Sequence, residues 1–279
     1  MIGRARHQTL RLMRGFVRRA WLAASVLLAG GSGVLACEID LFKRTGAIPA
    51  SMVQQRQTHA AYANLTRRYS HGVLGDALEP ETLLVEGPNA GFCDSEITLD
   101  TSHVFEDVAP RLVDLDRDGV LEIVTVRSHI NKGAQIAVYG FEGRGEVSDL
   151  KLLATTPYIG RKNRWLAPIG AADLDGDGHI EIAYIDRPHL AKTLRVWRFK
   201  SGKLTEVANQ KGLTNHRIGE DFISGGIRDC GTGSEMITVD ANWQKVMATR
   251  FDGKRLMTEP LGGFTGQNAL QAALNCGSN

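Results

Sequence analysis

The chain has 279 residues, 43% of them hydrophobic, with 33 lysine and arginine side chains against 31 aspartate and glutamate. Six of the arginines and no acid fall in the first 36 residues, so the remaining 243 positions carry 27 basic and 31 acidic groups, a formal charge of −4. That balance removes the compositional support for nucleic-acid binding, and the length suits one sizeable domain or one repeat array.

At the N-terminus, Arg4, Arg6, Arg11, Arg14, Arg18 and Arg19 precede a short apolar core at 21–28 and then Val34, Leu35 and Ala36. This is the three-part build of a secretory signal over 1–36, cut after Ala36, and it predicts a periplasmic or secreted protein. The apolar run is too short and too glycine-rich for a transmembrane span, so none is expected in the mature form. The Val-Leu-Ala-Cys sequence approaches a bacterial lipobox, which makes Cys37 a candidate lipid anchor. The rival reading uses Cys37, Cys93, Cys230 and Cys276 as two disulfides in an oxidising compartment, and spacing alone does not choose among the three pairings.

Residues 37–69 read as an N-terminal segment with a short helix over 51–65, for which Pro49 and Ser51 supply start signals. A shortened first repeat opens near 71–76 and 82–85, with a further strand at 97–99. Apolar or alternating segments then follow in regular cycles: 111–113, 121–126, 135–139 and 151–154; 168–172, 180–185, 193–199 and 203–207; 223–228, 235–240, 245–250 and 255–258. Most are four to seven residues long, bounded by turn-forming residues, and rich in β-branched side chains, which predicts strands. A tail over 266–279 contains a short helix at 267–274.

Two nine-residue acidic loops organise these cycles. Asp114, Asp116, Asp118 and Glu122 occupy positions 1, 3, 5 and 9 of the first; Asp173, Asp175, Asp177 and Glu181 occupy the same positions of the second, 59 residues later. Carboxylates at that spacing surround a hard cation, the carbonyls of Val120 and His179 at position 7 complete the shell, and Gly119 and Gly178 permit the turn between them. Without a cation the carboxylates repel one another, so the pattern predicts calcium as the cofactor. A third copy begins at Asp229, but glycines replace the acids at Gly231 and Gly233, and calcium is expected there weakly or not at all.

A period near 59 residues suits a repeated four-strand sheet. The loops and the strands they feed resemble the FG-GAP/VCBS repeat family, which builds β-propellers in integrin alpha chains and in many secreted bacterial proteins. The resemblance runs over roughly 70–260 and implies that the matching loop residues bind calcium; Glu122 and Glu181 replace the aspartate more usual at the last position. The fold expected is therefore all-β: a small β-propeller of about four blades with calcium-binding inter-strand loops, over 70–265. An incomplete array that closes through a partner is the competing architecture.

Before each acidic loop lies a polar segment, and superposed blades would bring these segments to one end of the axis. Arg164, Trp165, His216, Arg217, Glu220 and Asp221 are the candidate ligand-binding residues there, for an envelope protein, a peptide or a glycan. The structural alternative pairs Arg164 with Glu106 or Asp221. Trp165, flanked by basic residues, is the aromatic expected to be exposed. Neither G-x-S-x-G, G-x-G-x-x-G nor H-E-x-x-H occurs, which favours a binding or scaffold module over an enzyme. The alternative is a calcium-stabilised hydrolase of a phosphoester or glycan that uses this polar cluster.

Overall fold

The computed structural model describes residues 43–87, 94–142 and 149–277; the segment 1–36 expected to be a secretory signal, Cys37 and Cys93 lie outside them. The described residues form four antiparallel sheets, taken in chain order. The first contains β1 (Val53–Gln55), β2 (Thr58–Thr66), β3 (Glu79–Glu86) and β4 (Asp94–Thr98). The second contains β5 (His103–Phe105), β6 (Arg111–Val113), β7 (Glu122–His129), β8 (Gly133–Glu142) and β9 (Asp149–Thr155), with β5 and β6 pairing successive stretches of β7. The third contains β10 (Leu166–Ala172), β11 (Ile180–Asp186), β12 (Thr193–Lys200) and β13 (Lys203–Lys211). The fourth contains β14 (Leu213–Thr214), β15 (Gly226–Asp229), β16 (Ser234–Asp240), β17 (Lys245–Phe251) and β18 (Leu256–Gly263); β14 and β15 again share one partner, β16. The helix α1 (Gln267–Leu274) closes the chain.

The sheets pack face to face because their inner strands are apolar on both sides. Every residue of β11 is buried. Its alternate side chains divide between two cores: Ile182 and Tyr184 face the second sheet, while Ala183 and Ile185 face the fourth. A strand buried on both faces reads as a near-continuous apolar run, which Ile182 to Ile185 supply after Glu181 closes the acidic loop. Between the first and second sheets, Tyr62 stacks on Phe105 at 5.0 Å, with Leu83, Ile123 and Tyr139 around them. The outer strands β9, β13 and β18 alternate exposed and partly buried residues, as strands with one face in water do.

The helix expected over 51–65 does not form. Pro49–Ser51 makes a single 3₁₀ turn, and the remainder is β1, a turn with Arg56 at φ +54°, and β2. The alanines of this segment are small residues admitted between layers: Ala60 faces the second sheet, while Ala61 and Ala63 pack against Ala47 and Met52 on the other side. Local propensity loses here to burial on both faces. The first repeat is therefore a full four-stranded sheet beginning at Val53, and 71–76 is a loop within it rather than its opening strand. Each segment expected as a strand over 111–258 contains a strand, although the one expected at 223–228 begins only at Gly226 and β14 was not expected; the helix expected at 267–274 forms there.

At the chain's end, α1 lays Ala269, Leu270 and Ala273 on Ile237, Val239, Val246 and Ala248 of the fourth sheet. A disulfide joins Cys230, in the turn after β15, to Cys276 just beyond α1. The first and fourth sheets also touch through loops: the Gly219 N–H donates to the Val73 carbonyl at 3.1 Å.

Candidate functional site

The first acidic loop joins β6 to β7 and the second joins β10 to β11, so each feeds directly into a buried inner strand of its sheet. In both, the position-9 glutamate begins or nearly begins the second strand, where it is buried, and turns back to cap the loop. Glu122 Oε2 accepts the Leu115 N–H at 2.7 Å, and Glu181 Oε2 accepts the Leu174 N–H at 2.9 Å. The position-1 aspartates accept the glycine N–H: Gly119 to Asp114 at 3.3 Å and Gly178 to Asp173 at 3.0 Å. Both glycines sit at φ +93°, a backbone conformation that other residues enter only with strain.

Three carboxylates converge in each loop, Asp114, Asp116 and Glu122 in the first and Asp173, Asp175 and Glu181 in the second, with one oxygen of each within 4.8 Å of the others. Asp118 and Asp177 stand outside these triads. They cap the turn instead, accepting the N–H of Val120 at 2.8 Å and of His179 at 2.9 Å. The backbone bond from His179 lowers the Asp177 pKa. Burial, followed by the charges of Asp116, Asp118 and Asp114, pushes Glu122 up to about 7 against the opposing bond from Leu115. Burial also raises Asp116 and Glu181. Oxygen donors gathered at two turns suit a hard cation, and in the second loop a positive group already stands among them. Arg198 reaches in from β12 to Asp175 at 2.6 Å, Asp177 at 2.8 Å and Glu181 at 2.5 Å.

The third copy has a different chemistry. Asp229 Oδ1 accepts the N–H groups of Gly231 and Gly233, and the closing glutamate, Glu235, is held between Arg228 at 2.7 Å and Arg250 at 2.5 Å.

A second cluster lies at the end of the molecule where the polar segments meet. His71, Asn163, Arg164, Trp165, Arg187 and His189 line a cavity of about 230 Å³. Glu106, fully buried, accepts from Ser128 and pairs with His71 Nδ1 at 2.5 Å. Burial raises the Glu106 pKa while His71 opposes the rise. His189 Nε2 meets His216 Nδ1 at 3.0 Å, and burial together with the neighbouring His216 and His71 holds His189 down to about 4. The pair is therefore neutral near pH 7.

The sequence-expected ligand residues divide between this cavity and its surroundings. Arg164 lines it, bonds the Asn163 carbonyl at 2.8 Å and makes no ion pair among the described residues, with Glu106 and Asp221 committed elsewhere or apart. Trp165 is buried rather than exposed: its indole N–H donates to the Glu106 carbonyl at 2.8 Å, so one edge of the ring is structural. His216 is buried behind His189 and bonds the Glu220 carbonyl at 2.9 Å. Arg217 turns away and stacks over Trp243 at 4.1 Å. Glu220 and Asp221 do not line the cavity; Glu220 instead accepts the Arg217 N–H at 3.2 Å. Glu106 and His71, the most closely coupled pair at the site, were not singled out as its core because 35 residues separate them in the chain.

Comparison with known proteins bears on residues 114–184, which match the family described as FG-GAP-like repeat. The chain carries an FG-GAP-like repeat. The FG-GAP-like stretch runs from the first acidic loop through the second and into β11, so both carboxylate triads fall inside it. None of the curated proteins matches the sequence. Among solved structures, a hypothetical selenium-binding protein of Sulfolobus tokodaii superposes with a TM-score of 0.42 at 8% identity, covering 76% of this chain; the chain spans 53% of that protein's length. Among the described residues, no helix is long and apolar enough to cross a membrane.

Proposed function

We propose that this chain is an exported β-propeller, periplasmic or secreted, that acts as a binding or scaffold module at the cell envelope and uses calcium to fix its acidic inter-strand loops. The observation that carries the reading is the convergence of three carboxylates at each of two repeat-related turns, one member of each triad buried at the foot of a core strand. Asp114, Asp116 and Glu122, or Asp173, Asp175 and Glu181, would hold the ion; bound calcium supplies positive charge that offsets carboxylate repulsion and clamps the turn to its sheet. Export is supported by the sequence of 1–36, and millimolar calcium outside the cytoplasm suits a modest site. The propeller reading is supported by four successive antiparallel sheets of four or five strands packed face to face.

Thermal unfolding of the purified mature protein tests this. Calcium at 2 mM is expected to raise the melting temperature by about 4–8 °C over the chelated protein, the equivalent of about 2 kcal/mol for a chain of this size. Replacing Asp116 and Asp175 together by Ala is expected to remove most of that response. Identical melting with and without chelator would reject calcium.

The end cavity supplies the binding surface, with the Arg164 guanidinium, which makes no ion pair among the described residues, suited to an anionic group on a peptide or glycan. One observation favours the hydrolase alternative: His71, oriented by the buried Glu106, presents an imidazole to that cavity in the manner of a general base. Turnover of aryl phosphates or glycosides that disappears in His71→Ala, with the fold intact by circular dichroism, would establish it; turnover unchanged by the substitution would eliminate His71 as the base.

A further inference from the structure

We propose that only the first acidic loop takes a calcium ion, and that in the second the Arg198 guanidinium stands in the cation's place as a built-in, permanent counter-ion. The inference rests on the reading of these loops as cation sites and divides the two copies that the sequence makes look equivalent.

The division follows from strand register. Ile123 of β7 faces Tyr139 of β8, which sets Glu122 opposite Gly140; Glu181 of β11 faces Arg198 of β12; Met236 of β16 faces Thr249 of β17, which sets Glu235 opposite Arg250. One structural position, across from each loop's closing glutamate, is thus Gly140, Arg198 and Arg250 in successive sheets. Where it is arginine, the guanidinium is bonded to that glutamate, at 2.5 Å in both cases.

In the second loop, the single guanidinium reaches two of the three convergent carboxylates, Asp175 and Glu181, as well as the turn-capping Asp177. Asp175 and Glu181 are 5% and 0% exposed, so these charges have little water to fall back on. The third member, Asp173, is bonded at 2.8 Å by Arg117, which projects from the first loop. A divalent ion entering this triad would have to displace the Arg198 bonds while sitting within a few ångströms of its positive charge.

The first loop does not use the same solution. Position 140 is glycine, and a Cβ there would lie 2.5 Å from Leu153 Cδ1 and 3.3 Å from Glu122 Cγ, so a side chain would have to push the Leu153 tip aside. Arg117, within this loop, pairs outward with Asp173, while Arg56 reaches in from the β1–β2 turn, is 53% exposed, and among the described residues bonds Asp114 at 3.3 Å and the Gly119 carbonyl at 2.8 Å. Asp116 and the buried Glu122 have no guanidinium beside them among the ion pairs of the described residues. The three sheets therefore form a series: a carboxylate triad with no guanidinium on Asp116 or Glu122, a triad in which Arg198 bonds two of the three carboxylates, and a third loop in which arginines pair with the buried Glu235.

Calcium uptake by equilibrium dialysis separates the outcomes. The purified mature protein is expected to take up one equivalent. Asp116→Asn should abolish it and Asp175→Asn should leave it unchanged. Arg198→Met, which keeps the aliphatic stem and removes the charge, should raise uptake to two. Two equivalents in the unaltered protein, or loss of the single one in Asp175→Asn, would overturn the proposal while leaving calcium binding by the loops intact. No uptake by the unaltered protein or by Arg198→Met would overturn both readings together. If Arg198→Met does not fold, the contrast between Asp116→Asn and Asp175→Asn decides the matter.

Discussion

Glu79, at the start of β3, is buried beside Glu106, Asp76 and Asp107, and burial followed by those charges pushes its pKa up to about 9. Its folded value lies above the 4.5 of the unfolded chain, so the neutral acid contributes stability that is full below about pH 4.5 and fades as pH rises toward 9. Glu79→Gln, which keeps the shape and removes the titration, should accordingly stabilise the protein at pH 8 by roughly 1–3 kcal/mol and change little at pH 4.5. Calorimetry at both pH values checks this, and an equal effect at each would contradict it. Residues at this scale also explain why two matching motifs diverge: Gly140 and Arg198 occupy one register position, and a single side chain there changes what the adjacent carboxylates need.

At the scale of elements, α1 turns an otherwise exposed sheet face into core. Leu270 and Ala273 cover Ile237 and Val246, the Arg228 guanidinium donates to the Ala273 carbonyl at 2.6 Å, and Cys230–Cys276 ties the helix end to the turn after β15. The bridge closes a loop of 46 residues, and restricting that loop in the unfolded chain is worth about 2–4 kcal/mol. Cys276→Ser should therefore lower the melting temperature by about 5–15 °C, and an unchanged melt would show that the apolar contacts alone hold α1. The helix was legible in the sequence because QNALQAAL is an isolated run with helical spacing after a glycine. β2 was not, because THAAYANLT has the alanine content of a helix, and its strand identity comes from the two layers that bury it.

For the whole molecule, the four sheets stack in chain order, with the first and fourth meeting through the Val73 and Gly219 loops and the outer face of the fourth covered by α1. The same stacking carries the polar segments to one end, where His71 of the first repeat, Glu106 of the second, Arg164 of the third and His216 of the fourth approach one another. The sequence by itself determined the long strands from 111 onward, though not the two-residue β14, together with the repeat spacing and both acidic loops, since each depends on residues within one or two turns of chain: alternation, turn glycines and carboxylates at fixed offsets. Tertiary structure alone decided that Trp165 is buried, that Glu106 holds His71, and that Arg198 rather than open space faces Glu181. Those are pairings across sheets or across strand register, and their energies depend on burial and distance, which spacing along the chain does not encode.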